Sequence, residues 1–571
     1  LTLDLSLNPD FAQVDADRLI LNLTNYEREL PEKRPFFLEG RDVFAMPLPL
    51  FYSRRIGRVA PPSPELRETD ALVDPTKPAA LLGAQKLVGR IADRTSVGAL
   101  SALTGRNDVK LRDAAGTERN SPVEARTAFH VLRLKREVGS NGHLGVMATA
   151  VTRGEDTTAY TRDIAGAPNG RDVVVCPDGS RVAEGRRCFH DAYVGAADGR
   201  WRSSNGDWTA NGLVLGSAIR EGPARRLRDG TVIGSGDTGI GGIGHVAKEG
   251  GVPWVGELEF ETESRRLDFN DAGLMRRQNQ RVFTAILEYR TLAPWFVTLE
   301  THTQFEFFAR RNLSDLRLDE AYKLRTTWKF RNFWDVQLEA HYRRSFFDDR
   351  EVGNGTALER GALAGLITEI KTDPRRRVNA EVYLETDRVF DGYSFLSHAT
   401  VTVRALPQFD ITVGPELIYA AGEPRFAGRE AGSLVFGRLE AGNISTTLRT
   451  TYTFTPRISL QTYTQLFLAA GHYSSFGSVV DPGVARTVLR SDLVPSPGLS
   501  SNPDFSETAL NMNIVLRWEY LLGSSVFLVY TRLQAPSIQL APGQRGIIDA
   551  SGLGRAPATD TLLLKLSHFF G

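Results

Sequence analysis

The feature that most constrains this chain is a two-residue alternation of apolar and polar side chains, held over segments longer than ordinary strands. Between Leu510 and Tyr520 one face carries Leu510, Met512, Ile514, Leu516, Trp518 and Tyr520, while Asn511, Asn513, Val515, Arg517 and Glu519 fall on the other. Trp334, Val336, Leu338, Ala340 and Tyr342 likewise oppose Asp335, Gln337, Glu339, His341 and Arg343. Tyr322, Leu324, Thr326, Trp328 and Phe330 oppose Lys323, Arg325, Thr327 and Lys329, and Val378, Ala380, Val382 and Leu384 oppose Arg377, Asn379, Glu381, Tyr383 and Glu385. Successive strand side chains point to opposite faces, so this period predicts a sheet with one apolar and one polar face. Soluble sandwiches use strands of roughly 5–6 residues. Here many segments run about 11 to 17 residues with aromatics near their ends, which matches membrane strands and their aromatic girdles.

The connections test this independently. Tight links are predicted at Ala92–Arg94, Gly139–Gly142, Ser203–Asn205, Glu249–Gly251, Leu292–Pro294, Asn332, Asp373–Pro374, Pro407, Pro456 and Leu522–Ser524. Between them fall longer ones: Arg106–Glu124, Gly154–His190, Glu221–Asp237, Ser264–Arg276, Gly471–Glu507 and Ala535–Asp560, with shorter links of the same phase near Asn312, Gly353, Asp391 and Gly422. Thr238–Lys248 and Val252–Glu263 are read as one hairpin, which keeps short and long in alternation. Bacterial outer-membrane barrels show this asymmetry. The expected fold is therefore all-β, a single transmembrane antiparallel barrel over 1–571 with about 22 strands (20–24 by the same reading). An even number puts both termini on the periplasmic side and lets LTLDLSLN pair with TLLLKLSHFF, leaving no open edge in lipid. The terminal strand, with Leu562, Leu564, Leu566, His568 and Phe570 on one face, resembles a signal for the barrel assembly machinery.

Composition narrows the field of partners. No run of about 18 apolar residues occurs, so helical spans are not expected, and a net charge of +1 in 571 residues offers no footprint for nucleic acid. The chain begins at Leu1 without a signal region and is expected to be a processed form or fragment. The two cysteines, Cys176 and Cys188, lie close together in VVVCPDGSRVAEGRRCFH, which suits a small disulfide loop in an oxidising compartment. They offer too few ligands for zinc, and no metal or cofactor is expected.

One stretch breaks the alternation. Asn8–Gly57 interleaves charges with aromatics and is followed by a Pro-rich segment, APPSPELRETDALVDPTKP, which should be irregular. Together, 8–77 forms a first connection of about 70 residues, a length that is usually functional or disordered. A barrel of this size has a lumen wide enough to need filling, so 8–57 is expected to be an ordered partial plug or cap. Asp10, Asp15 and Asp17, with Glu27, Glu29, Glu32 and Glu39, could offer oxygen ligands to Ca²⁺, but no EF-hand spacing is present. Pairing with Lys33, Arg34, Arg54 and Arg55 in a polar interior is the preferred reading. Phe36, Phe37, Phe51 and Tyr52 are read as packing anchors. On the wall, Arg325, Glu339, Arg343, Glu381, Arg517 and Glu519 belong to a mixed-sign inward set. That set either orients polar solutes or forms cross-strand ion pairs, and the second is preferred.

NPDFAQVDAD, LNLTNYE, PEKRPFFLEG and FYSRRIG resemble the start of a bacterial outer-membrane family, the domain of unknown function 5916, which commonly follows a family-9-like carbohydrate-binding module. The resemblance continues through GAQKLVGR, TSVGALSALTG, VLRLKREVG, DFNDAGLMRRQNQ and LRWEYLLGSSVFLVYT. It implies an outer-membrane barrel in contact with lipid, and it implies no reaction. No G-x-S-x-G, H-E-x-x-H or P-loop occurs, His302 and His341 stand in no recognisable catalytic or metal arrangement, and the chain is not expected to be an enzyme. Two functions follow as expectations: a channel or transport barrel for a polar solute, constricted by 8–57, or a surface scaffold that holds a partner protein or an upstream module.

Overall fold

The alternating segments form strands, and each strand pairs with its neighbours in the chain. In order they are β1 (Thr2–Leu7), β2 (Leu81–Ala92), β3 (Thr95–Thr104), β4 (Arg126–Val138), β5 (Gly142–Gly154), β6 (Asp191–Arg202), β7 (Trp208–Arg220), β8 (Thr238–Lys248), β9 (Trp254–Glu263), β10 (Gln280–Thr291) and β11 (Thr298–Arg311). They continue with β12 (Arg317–Phe330), β13 (Asp335–Arg343), β14 (Leu363–Lys371), β15 (Val378–Val389), β16 (Gly392–Leu406), β17 (Phe409–Glu430), β18 (Ser433–Thr455), β19 (Ile458–Val480), β20 (Phe505–Leu521), β21 (Ser524–Gln534) and β22 (Ala558–Ser567). The structure is a computed structural model that describes residues 1–9, 18–59, 71–73, 77–112, 116–163, 173–481, 483–536 and 538–569. The result is an antiparallel meander of 22 strands with almost no helix; the two-residue piece Val494–Pro495 adds alongside the end of β19.

The expected closure of the sheet is not present. β1 pairs only with β2, β22 pairs only with β21, and the described residues contain no ladder between β1 and β22. Both edges carry exposed leucines on one face: Leu3, Leu5 and Leu7 on β1, with Leu1 just before it, and Leu562, Leu564 and Leu566 on β22. A strand of only 6 residues offers few ladder bonds to hold a second partner.

The turn phase follows the reading from sequence, with two corrections. Gly422 and Gly471 were expected in connections, but both lie inside strands: β17, β18 and β19 run 22, 23 and 23 residues. Their links fall instead at 431–432 and 481–504. At Gly422 (φ 118°) and Gly428 (φ 159°) the backbone takes values that favour glycine, beside register shifts between Ala421/Pro424 and Phe426/Gly428. The glycines thus mark bulges that bend the strand without ending it.

The longer connections interlock at one end of the sheet. Phe346–Asp348 pairs with Ala357–Arg360, which pairs in parallel with Thr487–Val488, over a small core of Val352, Leu358, Leu434, Phe436 and Val488. Within the Pro-rich segment, read as irregular, Ala71–Leu72 pairs with Asn107–Arg112. Cys176 and Cys188 are joined in a disulfide beneath Tyr160 and Val174.

Candidate functional site: the filled inner face

Residues 18–59 cross the inner face of the sheet. Near one end, Gln465 of β19 accepts from the Leu19 N–H (2.9 Å) and donates to the Leu19 carbonyl (2.8 Å). Arg18 pairs with Glu416 of β17 at 3.0 Å, and Arg425 of the same strand donates to the Leu23 carbonyl (2.7 Å). Further along, Lys86 of β2, 1% exposed, donates to the carbonyls of Phe36 and Glu39 and pairs with Asp4 of β1 at 2.9 Å. One short segment reaches both β17–β19 and β2 only because the sheet curls around it.

The segment is locked by two charge clasps. Arg34 donates through Nε (2.9 Å) and Nη2 (2.6 Å) to the Glu32 carboxylate, and to the carbonyls of Ser53 (2.7 Å) and Ile56 (2.8 Å). The Ser53 hydroxyl donates to Glu32 Oε2 at 2.5 Å. Burial works to raise the Glu32 pKa, but the hydrogen bond and charge of Arg34, with the Ser53 hydroxyl, outweigh it and hold the carboxyl below its usual value. In the second clasp Arg55 grips Glu27 with both terminal nitrogens (2.8 and 2.7 Å) and donates through Nε to the Gly273 carbonyl (2.8 Å). Bidentate guanidinium–carboxylate geometry of this kind satisfies the buried Arg55 fork, while the Glu27 side chain stays half-exposed.

Between the clasps, Pro35 opens a short helix, α1 (Pro35–Leu38), where its fixed φ is already helical. Phe37, Phe44, Leu48, Leu50 and Ile56 are buried against Leu81, Leu100, Phe129, Val131, Met147, Leu213 and Leu215 of β2–β5 and β7. The Phe44 ring lies against Gly98 of β3, where an added Cβ would stand 2.9 Å from its atoms. Phe36 and Phe51 pack at the margin of this core, and the Tyr52 hydroxyl donates to the Leu30 carbonyl at 3.0 Å. The inner wall is therefore apolar over this half of the sheet, where alternation alone predicts a polar face.

A second connection folds inward as well. Within 264–279, Leu267, Phe269, Ala272 and Met275 join the same core. Its backbone grips the segment, with the Tyr52 N–H donating to the Ala272 carbonyl (2.7 Å) and the Leu274 N–H to the Pro49 carbonyl (2.9 Å). Asp271 pairs with Arg153 (2.5 Å) and His190 (2.9 Å), and Asp268 with Arg225 (2.5 Å). By sequence this stretch reads as a long connection, and the apolar residues 267, 269, 272, 274 and 275 are the signal for its inward fold.

The wall residues named from sequence find near neighbours. Arg325 pairs with Glu339 directly across β12 and β13 (2.6 Å), and Arg343 with Asp319 (2.8 Å), its guanidinium 3.7 Å from the Phe346 ring centroid. Lys371 reaches Glu381 at 3.4 Å, and Arg517 reaches Glu519 two residues on at 2.9 Å. These pairs are spread over separate strands, β12 to β15 and β20. Lys33 and Arg54 are half-buried on the segment; burial lowers the Arg54 pKa. Asp10, Asp15 and Asp17 lie outside the described residues. A cavity of about 380 Å³ opens between Asn25–Tyr26 and the wall, bordered by Arg277, Arg310, Arg343, Arg360 and Arg425 with Asp319, Asp348 and Glu423.

On the opposite face the large apolar side chains are exposed: Leu324 (53%), Leu338 (45%) and Trp518 (50%) stand out, while inward Glu339 (4%), Asn443 (0%), Gln465 (0%) and Asn513 (2%) are buried. Among the described residues no helix is long and apolar enough to cross a membrane, which says nothing of strands.

Fold and interior together define a class: a large antiparallel meander whose inner face, apolar over one half, is filled by its own N-terminal segment. The chain belongs to the family described as a domain of unknown function (DUF5916), whose model matches residues 1–164 and 183–569. No match to the chain is found among curated proteins.

Proposed function

We propose that the sheet closes, β22 against β1, into a barrel in the bacterial outer membrane, with both termini periplasmic, and that the protein is a channel or transporter for a polar solute, narrowed by residues 18–59. The inverted burial carries this reading: leucine and tryptophan face outward and exposed, while amides and carboxylates are buried inside. Water rewards the opposite arrangement, and hydrocarbon rewards this one. The even strand count supports closure, since an open edge in lipid would leave backbone groups without partners. The Arg-bordered cavity beside Tyr26 supports a polar passenger.

The test is conductance of the purified protein in planar bilayers. The intact chain is expected to conduct in small steps, and deletion of 10–55 is expected to raise the conductance. A sealed barrel in both forms would overturn the channel. The apolar core that fixes the segment to β2–β7 favours one second reading, a permanently filled barrel that anchors a partner. In that case a stoichiometric partner should co-purify from native membranes.

A further inference from the structure

We propose that His341, Glu385 and Asp387 form a binding site for a divalent first-row transition metal ion on the inner wall. His341 lies on β13 and the two carboxylates on β15, so the strand β14 runs between them. Neighbouring strands are spaced about 4.8 Å apart, and side chains two strands apart do not normally meet. Here they do, because the intervening position is Gly365. His341 pairs in register with Gly365, and Gly365 with Asp387. A Cβ at 365 would stand 2.0 Å from Asp387 Oδ1 and 2.5 Å from His341 Nε2. The absence of a side chain lets His341 Nε2 approach Asp387 Oδ1 to 2.7 Å, and ligand atoms of all three residues lie within 4.8 Å of one another.

Three further observations point to a cation. The patch holds three carboxylates, Glu339, Glu385 and Asp387, of which Arg325 pairs with Glu339 at 2.6 Å. Two carboxylates then face one imidazole, a balance that a divalent ion would neutralise with the histidine uncharged. The Tyr383 hydroxyl donates to Glu385 (2.7 Å) and the Ser394 hydroxyl to Asp387 (2.8 Å), the kind of outer contact that orients metal-bound carboxylates. His341 Nδ1 is buried without a hydrogen-bond partner, 3.8 Å from Glu339 Oε1, so one ring nitrogen is uncommitted while Nε2 meets Asp387. One imidazole with carboxylates suits Mn²⁺, Fe²⁺ or Zn²⁺, whereas Ca²⁺ and Mg²⁺ prefer oxygen ligands alone. The competing arrangement is a plain ion pair of protonated His341 with Asp387. The site is independent of the channel reading, since binding is measured without any conduction.

The experiment is a Mn²⁺ titration of the chelator-stripped full chain in detergent, followed by electron paramagnetic resonance of the free ion. One Mn²⁺ per chain is expected, displaced by Zn²⁺ but not by an equal concentration of Ca²⁺. His341→Ala and Asp387→Asn are expected to weaken it by about tenfold or more, with Gly365→Ala acting in the same direction and Glu519→Gln leaving it unchanged. Circular dichroism confirms that each variant folds, and Glu385→Gln serves if His341→Ala does not. Absence of Mn²⁺ uptake, or equal uptake by wild type and the folded ligand variants, overturns the site. Displacement by Ca²⁺ as readily as by Zn²⁺ overturns the assignment of metal class.

Discussion

Replacing Arg34 by alanine should release the segment from the inner face while leaving the sheet intact. In the structure Arg34 donates to Glu32, to the Ser53 carbonyl and to the Ile56 carbonyl, with its guanidinium 4.3 Å from the Phe37 ring centroid. Its loss leaves a carboxylate whose side chain is 8% exposed facing only the Ser53 hydroxyl and the N–H groups of Lys33 and Arg34. Removing one partner of a buried pair costs about 3–5 kcal/mol, and the donors that Glu32 retains argue for about 3. At 1.4 kcal/mol per factor of ten, that is roughly a hundredfold shift in the ratio of docked to released segment. Hydrogen exchange measures it directly: amides of 30–57 should lose about two orders of magnitude of protection, and those of β18 and β19 none. Arg34→Lys should fall between, because an ammonium keeps the charge but not the planar fork that bridges carboxylate and carbonyls. Unchanged protection of 30–57 in Arg34→Ala would refute the claim that this clasp holds the segment.

The same clasp sets a pH dependence. Because the folded Glu32 pKa lies below its unfolded value, its contribution is present above about pH 4.3 and is lost as pH falls through the folded value; protection of 30–57 should hold from pH 7 to 5, drop below about 4, and lose that dependence in Glu32→Gln. Phe44→Ala empties a site that is 6% exposed and should cost the docked segment about 3–5 kcal/mol, read as weakened protection of 40–51. Reducing the Cys176–Cys188 bond reopens a loop of separation 12, and should cost about 3 kcal/mol by the chain-entropy account. Exchange should rise over 173–189, and a rise spread over the whole sheet would contradict a purely local role.

The strands were legible because a period of two leaves little choice. Once Leu516 and Trp518 lie on one face, Arg517 and Glu519 must lie on the other, and the tight turns then count the strands. The errors came where a local signal has two meanings. Gly422 reads as a turn in sequence, yet the same backbone freedom serves a bulge inside a 22-residue strand. Glu32 and Arg34 are two apart, so their pairing was within reach of sequence reasoning, as was that of Arg55 with the acids upstream. The inward fold of 264–279 was not, because its apolar residues follow no period.

Sequence alone determined the sheet, the phase of its connections and the existence of a first segment unlike the rest, since these depend on interactions between residues near one another in the chain. Tertiary structure decided which half of the inner wall is apolar and what holds the segment against it. It also decided that His341 meets Asp387 over Gly365. Those outcomes depend on how far the sheet curls and on which side chains a missing Cβ admits, and neither quantity is written in the alternation of any one strand.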